Sequence, residues 1–277
     1  MISSNNIVRE KISSNIYKET VSFGNHGVDL KGTLYLPIIA GKNDRVPGAV
    51  MCHGYGADRE VFENSARELA AEGVVVLTFD FRGHGSSGGM LDGSIVEDVM
   101  DAWNYLHDRP EVDHKRMGLI GHSMGAFSAI LAAGKLKKAK VLVALSCPSE
   151  IRNKVALDVA HFAHPLLRIF TEIIFKITRV IYRLKVRVDW NKFIEFWPKA
   201  KPSQSLSELG DCHKLFVFCL GDIAAPYNKF VYSYATAAEP KQMLVTTGNH
   251  NSPMESASLR RQWQKWTIQA LHGRLKH

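Results

Sequence analysis

The pentapeptide Gly-His-Ser-Met-Gly at residues 121–125 carries the clearest chemical signal in this chain. It follows the apolar run Met117–Ile120, which is typical of a short buried strand, and it precedes Ala126–Ala133, which has the composition of a helix. A serine on a sharp turn between a strand and a helix exposes its hydroxyl at the edge of a sheet, and a G-x-S-x-G match needs this context. The pattern therefore predicts that Ser123 is a nucleophile.

A second segment, His53–Gly56 with the sequence H-G-Y-G, directly follows the apolar run Gly48–Cys52. When a serine attacks a carbonyl group, negative charge develops on the carbonyl oxygen, and two backbone N–H groups aimed at that oxygen stabilise it. One N–H is expected from the residue after the nucleophile, Met124, and the other from Tyr55 in this loop. We expect His53 to brace the loop rather than to react.

A third segment, Phe79–Gly88 with the sequence F-D-F-R-G-H-G-S-S-G, follows another apolar run. Its glycines suit a loop that curls around the rim of a site. We interpret its polar residues Asp80, Arg82 and His84 as structural.

The elements that must position these loops alternate along the chain. Eight segments have strand composition: Tyr17–Phe23, Val28–Leu36, Gly48–Cys52, Val74–Phe79, Met117–Ile120, Val141–Leu145, Leu215–Leu220 and Gln242–Thr246. Helices are predicted at Glu60–Glu72, Ile95–His107, Ala225–Ala237 and Ser256–Leu271, besides the one after the pentapeptide. Near-continuous apolar strands separated by helices predict an α/β fold, in which a mostly parallel sheet is covered on both faces.

The three loop motifs H-G-Y-G, D-F-R-G-H-G-S-S-G-G and G-H-S-M-G, in this order and spacing, resemble those of the α/β-hydrolase superfamily. Within it, the chain is similar to the monoacylglycerol-lipase-like and feruloyl-esterase-like serine hydrolases. The resemblance implies an eight-stranded mostly parallel sheet, a Ser–His–acid triad and a helical cap inserted after strand six. The expected domains are a core of residues 1–149 and 202–277 and a cap of residues 150–201.

The same resemblance places the catalytic base in the loop after the last strand. The sequence Thr-Gly-Asn-His at residues 247–250 occupies that position. A histidine there can take the proton of Ser123 and return it to the leaving group. His250 is therefore the expected base.

The acid of the triad is harder to assign. In the superfamily it follows the penultimate strand, in a Gly-x-x-Asp sequence with a proline a few residues later. Here Ala224 stands at the expected position, and the nearby carboxylate of Asp222 comes two residues early. Asp222 is able to reach His250 or to cap the next helix. Glu150, after the strand Val141–Leu145, is a second candidate, and the absence of a working acid is a third reading.

Composition narrows the class of protein. The 277 residues have the hydrophobic content of a globular protein, and residues 1–10 contain no apolar core of a signal peptide. No run of about 18 uncharged apolar residues predicts a membrane-spanning helix, and the four cysteines show no metal-ligand spacing. We expect a cytoplasmic protein that needs no cofactor and no metal.

Most of the net charge of +8 lies in the predicted cap. Residues 152–201 contain eleven Lys or Arg and four Asp or Glu, which gives a net charge of +7. In the predicted amphipathic helix 166–188, polar and mostly basic residues recur every three or four positions opposite an apolar face. That face is expected to pack on the core, or alternatively to contact an anionic membrane surface. Nucleic-acid binding is not expected, because no recognised module accompanies the charge.

These observations predict a serine hydrolase that cleaves a carboxylic ester or thioester with an apolar acyl group through an acyl-enzyme intermediate. Two alternatives remain open. One is a catalytically weak or inactive binding protein on a hydrolase fold, because Ala224 stands where the acid is expected. The other is an acyltransferase that uses the same triad. The sequence does not determine the oligomeric state.

Overall fold

A nine-stranded sheet runs through the residues that the computed structural model describes, which are 9–24, 27–148, 186–197 and 199–275. The strands are β1 (Arg9–Lys11), β2 (Ile16–Phe23), β3 (Leu30–Pro37), β4 (Val46–Cys52), β5 (Val75–Phe79), β6 (Val112–His122), β7 (Val141–Leu145), β8 (His213–Cys219) and β9 (Lys241–Thr246). Their order is β1-β2-β3-β5-β4-β6-β7-β8-β9. The predicted count of eight is one too low, because the short, exposed and polar edge strand β1 carries no apolar signal.

The strands from β5 to β9 in this order are parallel, whereas β1, β2 and β3 pair antiparallel. Strand β4 lies between β5 and β6, with Cys52 beside both Phe79 and Gly121. The loops that follow β4, β5, β6, β8 and β9 therefore all emerge at one edge of the sheet. The H-G-Y-G, D-F-R-G-H-G and G-H-S-M-G motifs and the loops of Asp222 and His250 meet there.

Helices cover both faces, as the sequence predicts. They are α1 (Glu63–Ala71), α2 (Ile95–His107), α3 (Met124–Leu136), α4 (Trp190–Phe196), α5 (Pro202–Ser207), α6 (Tyr227–Thr236), α7 (Ser252–Glu255) and α8 (Ala257–Leu271). Strand β4 shows how the layers form: Ala49 and Met51 pack into the cluster that contains α1 and α8, and Val50 and Cys52 pack into the cluster with α2 and α3. Alternate residues of a strand point to opposite faces, so an apolar strand serves two cores.

Most predicted boundaries agree with the structure within a few residues. Helix α2 has the predicted ends, Ile95 and His107. Helix α6 begins two residues after the predicted Ala225, because Pro226 is extended and stands at its N-cap. Strand β6 is longer than the predicted Met117–Ile120, since its first residue, Val112, pairs with Val46 of β4, and the polar residues between Val112 and Met117 carry no apolar signal.

The predicted cap is described in part. Residues 150–185, with most of the predicted helix 166–188, lie outside the described residues. The prediction is wrong for residues 186–188, which are extended: Val186 and Val188 form isolated β-bridges with His84 and Leu91. The backbone of Arg187 donates to the Gly83 carbonyl at 2.8 Å, and its own carbonyl accepts from Leu91 N at 2.7 Å. These bonds to the loop after β5 replace the helical ones.

The remainder of the predicted cap packs against the core. Phe196 and Trp197 contact Phe127 of α3, with ring centroids at 6.5 Å and 4.4 Å. The division into core and cap stays a prediction. Within the described part of the chain, no helix combines the length and the apolar character that crossing a bilayer requires.

Candidate active site

Ser123 lies at the turn between β6 and α3 with φ 54° and ψ −122°. A positive φ is costly for a residue with a side chain and is tolerated where the surrounding structure enforces it. The backbone on both sides supplies this enforcement: Ser123 N donates to Leu145 O of β7 at 2.9 Å, and Ser123 O accepts from Phe127 N at 3.1 Å. The sequence context predicted this strand, turn and helix.

The two glycines of the pentapeptide permit the close packing of this turn. A Cβ atom at Gly121 would lie 2.4 Å from Gly125 O and 2.5 Å from Ala126 N. A Cβ atom at Gly125 would lie 2.0 Å from Cys52 O and 2.5 Å from His53 O. Both positions therefore require glycine, because a Cβ atom would clash with backbone atoms, which cannot move aside by changing rotamer.

Gly125→Ala is accordingly expected to lower the free energy of unfolding by about 4 kcal/mol or more, since α3 must move away from the end of β4. Urea denaturation measures this loss. The matched control is Gly210→Ala, because no heavy atom lies within 4 Å of a Cβ built there. An equal and small loss in the two variants would contradict the packing described for Gly125.

Asp222 and His250 are in direct contact. His250 Nδ1 lies 2.8 Å from Asp222 Oδ2, and the Asp222 side chain is almost fully buried, whereas that of His250 is about one quarter exposed. The other carboxylate oxygen, Oδ1, accepts from Ala224 N at 2.9 Å and from Ala225 N at 2.8 Å. Asp222 thus faces the histidine with an oriented carboxylate, although it comes two residues before the expected position.

The structure also bears on the other hypotheses for the acid of the triad. Ala224 donates its backbone N–H to the Asp222 carboxylate. Position 224 therefore supports the acid through its backbone and does not itself need to carry a carboxylate. Asp222 is not the cap of the next helix, whose N-cap is Pro226. Glu150 lies outside the described residues, so the geometry offers no comparison with it.

His122, the residue before the candidate nucleophile, holds the loop of His250. Its Nε2–H donates to the His250 carbonyl oxygen at 2.8 Å, and the two imidazole rings lie 4.8 Å apart. Burial lowers the pKa of His122 to about 4. It is therefore neutral near pH 7 and adds no charge beside His250. No role for His122 was predicted from the sequence, because its only sequence signal is its position within the pentapeptide.

The two predicted oxyanion donors border Ser123. A Cβ atom at Gly54 would lie 3.2 Å from Ser123 Cβ, so the H-G-Y-G loop packs directly against the serine. Met124 begins α3, and the first N–H groups of a helix have no acceptor within it. Tyr55 thus follows the residue that packs against Ser123, and Met124 directly follows Ser123 in the chain.

The loop after β5 is fastened by ion pairs. Arg82 Nη2 lies 2.7 Å from Asp98 Oδ1 and its Nη1 lies 3.2 Å from Asp92 Oδ1, and Asp98 is fully buried. Asp80 pairs with Arg59 and also accepts from Arg59 N, three residues after the H-G-Y-G loop, at 2.8 Å. The contacts of Asp80 and Arg82 are structural ones.

A cleft of about 560 Å³ opens over these groups. Ser123, His122 and His250 form its floor beside Tyr55. The remaining lining residues are Gly54, Gly56, Ala57, Val61, Asn64, Asn251, Met254, Glu255 and Arg260. A serine hydroxyl and an imidazole paired to a buried carboxylate meet in this cleft, and they are the nucleophile and base that acyl transfer requires. Among the described residues, no group of three His, Cys, Asp or Glu side chains is arranged as a metal site.

A comparison with known protein families shows which family the sequence matches. The family model Hydrolase_4, described as serine aminopeptidase, S33, matches residues 46–195, which are more than half of the chain. The match includes the H-G-Y-G, D-F-R-G-H-G and G-H-S-M-G motifs.

Curated relatives are similar over shorter stretches. Thiohydrolase aneE of Aspergillus aculeatus is 33% identical over 152 residues, which are 52% of this chain and 46% of that protein. Polyketide transferase af380 of Aspergillus fumigatus is 33% identical over 114 residues, or 39% of this chain and 37% of that protein. The chain thus matches less than half the length of these relatives. An uncharacterized protein of Mycobacterium tuberculosis, Rv2307c, is 25% identical and covers 80% of this chain and 68% of that protein.

Solved structures share the fold over nearly the whole chain. DcsB, solved in complex with its substrate analogue, has a TM-score of 0.72 at 15% identity and covers 93% of this chain and 99% of its own. The acetyl xylan esterase of Paenibacillus sp. R4 has a TM-score of 0.70 at 19% identity, with coverage of 96% and 87%. The α/β hydrolase GrgF of Penicillium sp. sh18 has a TM-score of 0.70 at 16% identity, with coverage of 91% and 98%. The α/β-hydrolase fold expected from the sequence is confirmed.

Proposed function

Because this chain belongs to the Hydrolase_4 family of α/β-hydrolases, which is described as serine aminopeptidase, S33, we propose that it is a serine hydrolase of carboxylic esters or thioesters. The observation that carries the proposal is the 2.8 Å contact between His250 and the buried Asp222 beside the strained turn of Ser123. Neither the family nor the fold determines which acyl bond is cut.

In the proposed mechanism the Ser123 hydroxyl attacks the acyl carbon while His250 takes its proton. Asp222 holds Nδ1–H of His250, which leaves Nε2 with its lone pair for the serine proton. His250 then gives the proton to the departing alcohol or thiol. Water, deprotonated by His250, releases the acyl group from Ser123.

The negative oxygen of each tetrahedral intermediate is proposed to bind the N–H groups of Tyr55 and Met124. Both belong to backbone that is already fixed, Tyr55 in the loop against Ser123 and Met124 at the head of α3. Donors that need no reorganisation stabilise developing charge most effectively. The helix dipole of α3 adds to this effect.

Two features favour an apolar acyl group and an ester or thioester bond. Val61 and Met254 are apolar groups in the cleft lining, among polar groups such as Asn64 and Glu255. A relative at about one-third identity is named a thiohydrolase, and a structural neighbour is named an acetyl xylan esterase. We propose that the acyl chain packs against Val61 and Met254.

Initial rates on matched acyl series test this proposal: p-nitrophenyl esters, N-acetylcysteamine thioesters and p-nitroanilides, each from two to ten carbons. The value of kcat/KM is expected to rise about fourfold for each methylene that enters the cleft. Esters and thioesters are expected to react far faster than the anilides. Faster cleavage of the anilides, or no turnover in any series, would contradict the proposal.

A second candidate function, acyl transfer, is favoured by one relative, which is named a polyketide transferase. The same acyl-Ser123 intermediate would be attacked by an alcohol, thiol or amine instead of water. Adding such acceptors to the ester assay and analysing the products separates the two reactions. The remaining alternative, an inactive binding protein, depended on a missing acid, and the contact of Asp222 with His250 argues against it.

The basic segment 150–201 is proposed as the cap over this cleft. Its described part, residues 186–197 and 199–201, contacts the loop after β5 and helix α3. Contact of the predicted helix 166–188 with an anionic membrane stays a prediction from the sequence, and its last three residues are extended in the structure.

A further inference from the structure

His53, the first residue of the H-G-Y-G loop, is fully buried, and both of its ring nitrogens are engaged with backbone. Its Nε2 accepts from Phe81 N at 3.1 Å. Because Nε2 is an acceptor in this bond, the hydrogen of the neutral ring sits on Nδ1. Nδ1–H therefore donates to the Gly54 carbonyl oxygen, at 2.8 Å.

The acceptor of that bond belongs to the peptide unit that also contains Tyr55 N–H. In a planar trans peptide the C=O and N–H bonds point in opposite directions. A ring that holds the Gly54 carbonyl on the buried side therefore turns Tyr55 N–H to the other side. The Gly54 carbonyl also accepts from Ala57 N at 3.3 Å, and Gly54 and Tyr55 both line the cleft, so the other side of the peptide is the cleft.

His84 fixes the next peptide unit in the same manner. Its Nδ1–H donates to Arg82 O at 3.1 Å, and its Nε2 accepts from Gly56 N at 3.2 Å. The His53 and His84 rings are in contact, with centroids 5.0 Å apart. Each loop thus sends one imidazole to bind a backbone N–H of the other, since His53 binds Phe81 and His84 binds Gly56.

Both rings must stay neutral to accept at Nε2, and their surroundings keep them so. Burial lowers the pKa of His53 to about 4 and that of His84 to about 3. Arg59 and His122 add to the lowering at His53, and His53 and Arg187 add to it at His84, against the opposing charge of Asp80.

We propose that His53 is a positioning residue of the oxyanion hole, which sets the 54–55 peptide plane and thereby aims Tyr55 N–H at the reacting oxygen. His84 supports it by holding Gly56. The inference rests on the proposed serine-hydrolase function, and it assigns to a histidine outside the triad an effect on the transition state rather than on substrate binding.

Two isosteric variants separate the two ring nitrogens of His53. His53→Asn keeps an N–H donor near the position of Nδ1, whereas His53→Gln keeps an acceptor near Nε2 and loses the donor. We expect His53→Gln to lower kcat about 100-fold to 1,000-fold with little change in KM, as for loss of an oxyanion donor. His53→Asn is expected to retain kcat within about tenfold, since the bond to Gly54 O remains.

A tetrahedral mimic provides a readout that a purely structural role would not move. Binding of a trifluoromethyl ketone matched to the best substrate is expected to weaken in His53→Gln by the same factor as kcat/KM, and to be kept in His53→Asn. Equal losses in both variants that follow their melting temperatures, or unchanged kcat in His53→Gln, would overturn the proposal.

Two further measurements keep the test decisive. The reverse pattern is expected at His84, where Gln keeps the Nε2-like acceptor and activity, and Asn loses both; this pair applies if His53→Gln does not fold. Crystal structures of the His53 variants show the peptide directly, flipped in the Gln variant and kept in the Asn variant. If the parent protein turns over no ester or thioester, the proposed function fails, while these structures still decide whether His53 sets the peptide.

Discussion

Replacing Ser123 by alanine is expected to lower kcat for the best ester or thioester by about six orders of magnitude, which is the loss typical when the nucleophile of a serine triad is removed. A residual acceleration of about 10³-fold over water should remain, because the oxyanion donors and the cleft are intact. Initial rates on the parent and the variant, each purified to exclude a contaminating esterase, measure the loss.

The matched control is Ser233→Ala. Ser233 is a buried serine of α6, on the same side of the sheet as α3, and it does not line the cleft. Its substitution removes one serine hydroxyl, as in Ser123→Ala, and kcat should stay near the parent value. Turnover by Ser123→Ala at the parent rate would exclude Ser123 as the nucleophile.

Asp222→Asn is expected to lower kcat by about four orders of magnitude. The amide oxygen will stay with the N–H groups of Ala224 and Ala225, which bind Oδ1 of the parent at 2.9 Å and 2.8 Å. The amide NH₂ then faces His250 Nδ1 and donates to it. His250 is forced to carry its hydrogen on Nε2, where it cannot accept the proton of Ser123.

Ala224→Asp distinguishes the two acid positions. Because Asp222 already contacts His250, an aspartate at 224 is expected to leave kcat within about tenfold of the parent, without a gain of orders of magnitude. Asp211→Asn, at an exposed carboxylate, controls for the change of charge. A large gain in Ala224→Asp, or full activity in Asp222→Asn, would place the working acid elsewhere.

The sequence predicts the fold well because its signals are local. The apolar runs that became β4 to β9 and the period of α2 are properties of a few neighbouring residues, and their order determines the sheet. Strand β1 escaped prediction because Arg9–Lys11 is exposed and polar, and its pairing with β2 is decided by the partner strand.

The residues of the candidate site differ in the same way, because some have a local sequence signal and others do not. Ser123, Tyr55 and Met124 could be predicted from motifs, because a strained turn requires glycines at fixed spacing and these glycines are visible in the sequence. The position of Asp222 could not be derived, because a two-residue shift within a loop changes no periodicity. The bond of Gly221 N to Gly248 O at 3.0 Å, between two loops 27 positions apart, helps to bring Asp222 to His250.

The roles of His53 and His122 were hidden for another reason. Both act on backbone groups, His53 on the Gly54 carbonyl and His122 on the His250 carbonyl. A sequence motif records that a histidine is present, and the direction of its two ring nitrogens appears only in three dimensions. Sequence reasoning gave His53 a bracing role, and the structure adds which peptide it holds.

The central claim is that Ser123 is a nucleophile activated through His250 and Asp222. Its most direct test is the rate of labelling by a fluorophosphonate, with the modified peptide identified by mass spectrometry. We predict stoichiometric labelling on Ser123, none in Ser123→Ala, and labelling slowed by orders of magnitude in Asp222→Asn. Labelling of a different residue, or equal rates in the parent and Asp222→Asn, would contradict it.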